Sequence, residues 1–242
     1  MWNDVTNVWK RAIKESWISF ISGSTPIGAV LCDSEGKIIL SDHNRSHEAQ
    51  TINKKIAHAE ANILRALDTS VYDPKALTLY STMEPCPMCM GTIVMADIKS
   101  VRYAAADTYC GMTHLVKNEP YYSSQNVSCI YEGEELEQFQ LTIQAYYELR
   151  YIEQGASCHV LEKFAELCPA AVKTAERLFK TKWLDKAAEA EKDVGEVFDH
   201  IITEIKKNQM NILRRIRNTD MKRSGFCISG RTCSVRYDKK AY

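Results

Sequence analysis

The sequence contains no run of about 18 apolar residues, so no membrane-spanning helix is expected. The opening residues, Met1-Trp2-Asn3-Asp4-Val5, lack a charged segment followed by an apolar core, so no secretory leader is expected either. There is no internal repeat and no excess of charge, with 31 basic and 31 acidic side chains. At 45% hydrophobic and 26% charged, the composition excludes a disordered chain and fits a globular one. The nine cysteines are odd in number and scattered, which disfavours a disulfide framework. With no export signal, metal-bound or free thiols in a reducing, cytoplasmic setting are expected. The zero net charge conceals an asymmetry. Residues 1–150 carry 13 basic against 18 acidic side chains, and residues 151–242 carry 18 against 13.

Apolar spacing predicts the elements. Trp2, Val5, Trp9, Ala12, Ile13, Trp17 and Phe20 recur at helical intervals and predict one amphipathic helix, ending at Gly23-Ser24-Thr25-Pro26. Residues 26–33 and 37–44 flank the turn signal Ser34-Glu35-Gly36 and predict a β-hairpin. A polar loop over 45–56 leads into a helix that starts near His58 and is stopped by Asp73-Pro74. Residues 77–82 read as a strand, Pro87 opens a helix, and 101–105 read as a buried strand. Residues 107–126 show no clear period and are expected as a loop near the site. A strand over 127–131 and a helix over 134–151 follow. This alternation predicts an α/β fold, a mixed sheet flanked by helices. Gly155 marks the expected boundary between a domain at 1–154 and a mostly helical extension at 155–242 with a basic tail. Cys227 and Cys233, with no histidine near them, are not expected to form a second metal site.

Two short stretches carry the chemistry, His58-Ala59-Glu60 and Pro85-Cys86-Pro87-Met88-Cys89. A lone C-x-x-C fits a redox pair or two buried small apolar residues as well as a metal. A lone histidine fits a hydrogen-bonded core residue. Together they supply two thiolates and an imidazole, which balance the charge of Zn²⁺ and leave a fourth position open. Glu60 then stands free as a proton carrier. A closed, structural zinc site is the competing arrangement.

The H-A-E and P-C-x-x-C pair resembles the signature of the zinc-dependent cytidine/nucleobase deaminase superfamily. Residues 84–93, E-P-C-P-M-C-M-G-T-I, resemble a helix of its tRNA-adenosine/guanine deaminase branch. Asp42-His43-Asn44-Arg45 is similar to that branch's segment with a base-binding asparagine. The spacing of Leu115, Asn118, Val127, Gly133 and Leu136 is similar to its C-terminal strand and helix. The resemblance spans residues 1–150, and residues 155–242 fall outside it. It implies a three-layer cytidine-deaminase-like sheet and a zinc ion on His58, Cys86 and Cys89. It further implies Glu60 as catalytic proton carrier, Asn44 holding the base, and a homodimer. The implied reaction is hydrolytic loss of the exocyclic amine of a nucleobase as ammonia. The substrate is expected to be a purine base or nucleoside of guanine or adenine type. A tRNA-specific adenosine deaminase and a catalytically silent zinc-binding scaffold are the alternatives. The basic residues Lys206, Lys207, Arg214, Arg215, Arg217, Lys222 and Arg223 form either a solvated face or a contact for tRNA. Asn44 equally suits a turn cap. His43 and His47 are expected at the surface or pocket rim, His114, Tyr109 and Tyr121 are candidates to line the pocket, and Cys110 is expected as a free thiol.

Overall fold

The computed structural model describes the backbone of residues 1–224 and the side chains of residues 1–209. It divides into a unit at Met1–Ile205 and another from Lys206 onward. The site and its surroundings lie in the first. Arg214, Arg215, Arg217, Lys222, Arg223, Cys227 and Cys233 fall outside the described side chains.

Five strands form one sheet: β1 (Gly28–Cys32), β2 (Ile38–His43), β3 (Thr78–Met83), β4 (Ser100–Ala105) and β5 (Ser128–Tyr131), in the order β2-β1-β3-β4-β5. The β1 strand pairs antiparallel with both neighbours, while β3, β4 and β5 run parallel. The hairpin forms where its turn chemistry placed it. Asp33 Oδ1 accepts hydrogen bonds from the amides of Glu35 (3.0 Å) and Lys37 (2.9 Å), and Gly36 takes φ +80°, a left-handed conformation that suits glycine.

Because strand side chains alternate, each strand feeds both faces. Ala29, Leu31, Leu79 and Val101 pack with Ile63 and Leu64 of α2 (Ala59–Ala66) and Met90 and Ile93 of α3 (Pro87–Met95). Val30, Cys32 and Ala104 meet Val8, Trp9 and Ala12 of α1 (Asn7–Ile21) on the opposite face. The result is the mixed, helix-flanked α/β sheet that the alternation predicted. On the α1 side the core runs on through α6 (Glu134–Ile152) into α7 (His159–Leu167), α8 (Pro169–Lys180), α9 (Trp183–Glu189) and the start of α10 (Val194–Ser224). Phe20, Phe139, Tyr146, Phe164 and Phe198 are fully buried there. Tyr146 meets Phe20 and Phe179 edge-on, at 5.7 and 5.0 Å, and donates its hydroxyl to Asp185 at 2.6 Å. No helix among the described residues is long and apolar enough to cross a membrane.

Two local expectations change. The first helix is not continuous: Trp2–Asp4 form a 3₁₀ turn, Val5 and Thr6 are extended, and α1 begins at Asn7. Distant partners hold the break, since Trp2 packs on Phe198 (5.6 Å) and its amide donates to Asp199 (2.7 Å). Apolar spacing cannot see such contacts. Within 107–126 the chain folds into two short helices, α4 (Leu115–Asn118) and α5 (Pro120–Ser124). Each is too short to show a 3.6-residue period, although Pro120 at the first helical position is a start signal.

Candidate metal centre

His58 and Cys86 occupy equivalent places. Each is the extended residue that caps a helix N-terminus, His58 before α2 and Cys86 before α3. Strand β3 lies between them in the chain and returns α3 to the same end of the sheet. Pro87 opens α3 at no cost in hydrogen bonding, because a first-turn amide has no helical partner. Cys89 follows on the first turn, turned back towards Cys86.

The geometry passes a direct test for zinc. Bonds of about 2.3 Å to sulfur and 2.0–2.1 Å to nitrogen, at the tetrahedral angle, put S and N about 3.6 Å apart. Here His58 Nδ1 lies 3.5 Å from Cys86 Sγ and 3.6 Å from Cys89 Sγ. All three ligand atoms fall within 4.8 Å of one another, and this is the one such cluster among the described residues. The donor set is two sulfurs and one imidazole nitrogen, which suits Zn²⁺. The S–H of Cys89 and then His58 hold the Cys86 thiol down to about 4. The same contact with Cys86, together with burial, pushes Cys89 up. The pair thus favours one thiolate, and binding of a dication displaces the remaining proton.

Glu60 sits beside these three side chains without joining the cluster. It is 3% exposed. Ser81 Oγ donates to its Oε1 at 3.1 Å and Cys89 Sγ to its Oε2 at 3.4 Å. Burial raises its carboxyl above the usual range, against the opposing pull of His58. A carboxylate so placed is a stronger base than one in water.

Asn44 is buried at the end of β2, and Arg45 N donates to Ala57 O at 2.9 Å, which fixes this segment against the residue before His58. Asn44 Oδ1 accepts from the amide of Ser46 at 2.9 Å, so the turn-capping role is realised. Its Nδ2 has no protein partner among the described residues. His43 departs from expectation, being buried rather than superficial. Its ring bridges Glu15 (3.1 Å) and Glu48 (2.7 Å), because the strand end turns it towards α1. His47 is exposed, with Nε2 3.2 Å from Tyr151 Oη. His114 lines a separate cavity of about 630 Å³ with Tyr103, Lys117 and Cys129. Tyr109 is exposed and meets His159 edge-on at 5.2 Å, and Tyr121 is exposed beside Met95.

Three contributors were not singled out by motif spacing. Glu84 accepts from the amides of Asp107 and Thr113, each at 3.1 Å, and from Thr113 Oγ1 at 2.5 Å. It ties residues 107–113 down next to the cysteines, and Met112 N donates to Pro85 O at 3.0 Å. Cys110, in this loop, is pushed up by burial, by Asp107 and by the charges of Cys86 and Glu60. Its sulfur donates to Asp107 Oδ2 (3.1 Å) and is not among the clustered ligand atoms. Ser81 was legible only as an inward position of β3. Glu148, a half-buried carboxyl raised by burial and then by Asp107, left no sequence signal.

Comparison with known proteins now bears on these residues. The pattern of the cytidine and deoxycytidylate deaminase zinc-binding region matches residues 3–105, which include all four side chains at the centre. A tRNA-specific adenosine deaminase of Rickettsia felis is 32% identical over 133 residues, 52% of this chain and 84% of its own length. The chain belongs to the cytidine and deoxycytidylate deaminase family. A second relative in this zinc-dependent deaminase family, the tRNA-specific adenosine deaminase of Bacillus subtilis, is 38% identical over 113 residues. That match covers 45% of this chain and 66% of the relative. Among solved structures, a tRNA:A34 deaminase is 26% identical across 57% of this chain and 99% of its own, with a TM-score of 0.47. The guanine deaminase of Bacillus subtilis is 34% identical across 43% of this chain and 67% of its own, with a TM-score of 0.36. As a family member the chain is a zinc-dependent hydrolase of the deaminase class.

Proposed function

We propose that His58, Cys86 and Cys89 hold the zinc ion, that Glu60 is the catalytic proton carrier, and that the reaction removes the exocyclic amine of a purine as ammonia. The observation that carries this is the separation of three clustered ligand atoms from one buried, unligated carboxyl. Zinc at these ligands supplies a Lewis acid and brings the pKa of water at an open position to about 7.

The remaining steps fall to side chains. Glu60 Oε1 is held by the Ser81 hydroxyl, which leaves Oε2, on the Cys89 side, to receive a proton from water. Burial strengthens Glu60 as a base, so it retains that proton long enough to deliver it to the ring nitrogen and then to the departing amine. Water adds to the ring carbon, the C–N bond breaks, and a carbonyl replaces the amine. Asn44 Nδ2 donates to an acceptor on the base and orients it, while Oδ1 keeps the turn. The loop pinned by Glu84 lies beside the cysteine segment.

A narrower reading, adenosine within tRNA, is supported by the relatives named tRNA-specific adenosine deaminase. Pairing of two copies and a cytoplasmic setting belong to the same proposal. The test is Glu60→Gln. The variant should keep one zinc per chain while ammonia release falls by roughly 10²–10⁴-fold across bases, nucleosides and tRNA. Unaltered turnover would remove Glu60 from the mechanism. Zinc-loaded wild-type protein that releases no ammonia from the whole panel would favour a silent zinc-binding scaffold.

A further inference from the structure

A cavity of about 430 Å³ is lined by Arg45, Ile52, Ile56, Ala57, Asn62 and Arg65, among others, on the segments that flank His58 in the chain. Its lining adjoins the site along the chain. Ala57 immediately precedes His58, Arg45 follows Asn44, and Asn62 lies on the same helix as Glu60. Its volume falls within the range of small-molecule pockets.

The lining is charged in one sense. Between Glu48 and Asp68 the only carboxylate in the chain is Glu60, which is buried, whereas Lys54, Lys55 and Arg65 are exposed. The two arginines differ. Arg45 is already matched by Asp42 (2.8 Å) and Glu48 (2.9 Å), so it shapes the wall. Arg65 forms no ion pair among the described residues. Its one protein partner among the described residues is Asn62 Oδ1, at 2.9 Å. Asn62 is itself fixed, since its Nδ2 donates to His43 O (3.1 Å) and Ala57 O (3.4 Å). A guanidinium has five N–H donors, so one bond to a fixed amide aims the group and leaves donors for a ligand. Ile52, fully exposed, and Ile56 add apolar surface at the rim for a sugar or neighbouring base. An aimed arginine, flanking lysines and apolar rim residues together match a phosphate carried on a nucleotide.

Resting on the deaminase reading above, we infer that this cavity binds a phosphate attached to the base being deaminated. The enzyme therefore takes phosphate-bearing substrates in preference to free bases and nucleosides. The shared chemistry is the phosphate, whether a nucleoside monophosphate or the backbone of an RNA strand.

The experiment compares wild type with Arg65→Ala, Arg65→Lys and the double variant Lys54→Ala/Lys55→Ala, all at exposed positions. Ammonia release is measured with a purine base, its nucleoside, the nucleoside 5′-monophosphate and a short RNA stem-loop. Binding of the last two is measured separately across a salt series. Arg65→Ala should raise KM and Kd for a phosphate-bearing ligand by about tenfold, with kcat and any turnover of the phosphate-free nucleoside unchanged. The slope of log Kd against log salt should fall by about 1, and Arg65→Lys should restore part of the loss. A loss confined to the monophosphate assigns a nucleotide substrate, and one confined to the stem-loop assigns RNA. Equal KM and Kd for Arg65→Ala and wild type on both phosphate-bearing ligands overturns the inference, as does a wild-type preference for the phosphate-free nucleoside. If wild type releases no ammonia from anything, the deaminase reading fails by itself. The binding arm then decides the cavity, and equal Kd again refutes it.

Discussion

Replacing Glu84 by glutamine tests whether the loop beside the metal centre is held by one carboxylate. Glu84 receives three hydrogen bonds, from Asp107 N and Thr113 N at 3.1 Å and from Thr113 Oγ1 at 2.5 Å. Glutamine keeps one oxygen and puts an NH₂ where the other was. It therefore loses the bond from the backbone amide of either Asp107 or Thr113, where donor then faces donor, while the Thr113 hydroxyl can turn to accept. One hydrogen bond to a charged acceptor is worth about 1.5–3 kcal/mol net. The half-buried setting of Glu84 argues for the lower end. A loss of about 1.5 kcal/mol, if it acts on local opening of residues 107–113, speeds exchange of the Asp107 and Thr113 amides roughly tenfold. The amide of Glu84 itself bonds to Ala105 O at 2.8 Å and should exchange as before. Hydrogen exchange read residue by residue, with zinc content and ammonia release on the same sample, makes the comparison. A Thr113→Val partner completes a double-mutant cycle, and its effect should be strongly non-additive with Glu84→Gln. Unchanged exchange at Asp107 and Thr113 would refute the reasoning. So would additivity, since it would mean that the two residues do not act through each other.

Gly28→Ala should destabilise the fold by at least about 2 kcal/mol, or roughly 4–8 °C in a thermal melt. The added Cβ would lie 2.2 Å from Ala12 O and 2.4 Å from Ser16 N, both backbone atoms of α1, and an unchanged melt would sink that account. The His43–Glu15 pair gives a pH dependence. Burial disfavours the imidazolium, but Glu15 and Glu48 outweigh it and raise His43 above its usual 6.5. Burial likewise opposes charge on Glu15, but His43 and Ser41 outweigh it and lower Glu15 below its usual 4.5. The histidine's contribution is complete below pH 6.5 and is lost as pH rises through its folded value. The glutamate's is complete above pH 4.5 and is lost as pH falls through its folded value. The pair should stabilise most between about pH 4.5 and 6.5. Melts of His43→Gln against pH should lack the alkaline decline, and a parallel decline in both proteins would count against the pair.

Much of this was legible wherever a signal is local. Ser34, Glu35 and Gly36 announced the hairpin because a tight turn needs its chemistry within a few residues, whereas Asp33, which accepts the turn's amides, was read only as a strand end. That His58, Cys86 and Cys89 come together was legible because a metal would constrain residue type more tightly than packing does. The role of His43 was not, since its partner Glu15 is 28 positions away on another element. Trp2 failed for the same reason, its apolar phase matching α1 while its contact is with Phe198. The short helices at Leu115–Asn118 and Pro120–Ser124 fell below the length at which periodicity can be counted. Arg65 carried no motif, and its importance comes from the amide of Asn62 that aims it.

His58, Glu60, Cys86 and Cys89 all precede β4, β5 and α6 in the chain. A polypeptide leaving the ribosome presents all four proposed site residues before the strands and the long helix that finish the fold have been made. Joining His58 to Cys86 through a metal would close a loop of 28 positions, which in chain-entropy terms resembles a cross-link worth about 3.6 kcal/mol. Metal supply therefore bears on how reliably the nascent domain is completed, as well as on the activity of the finished protein.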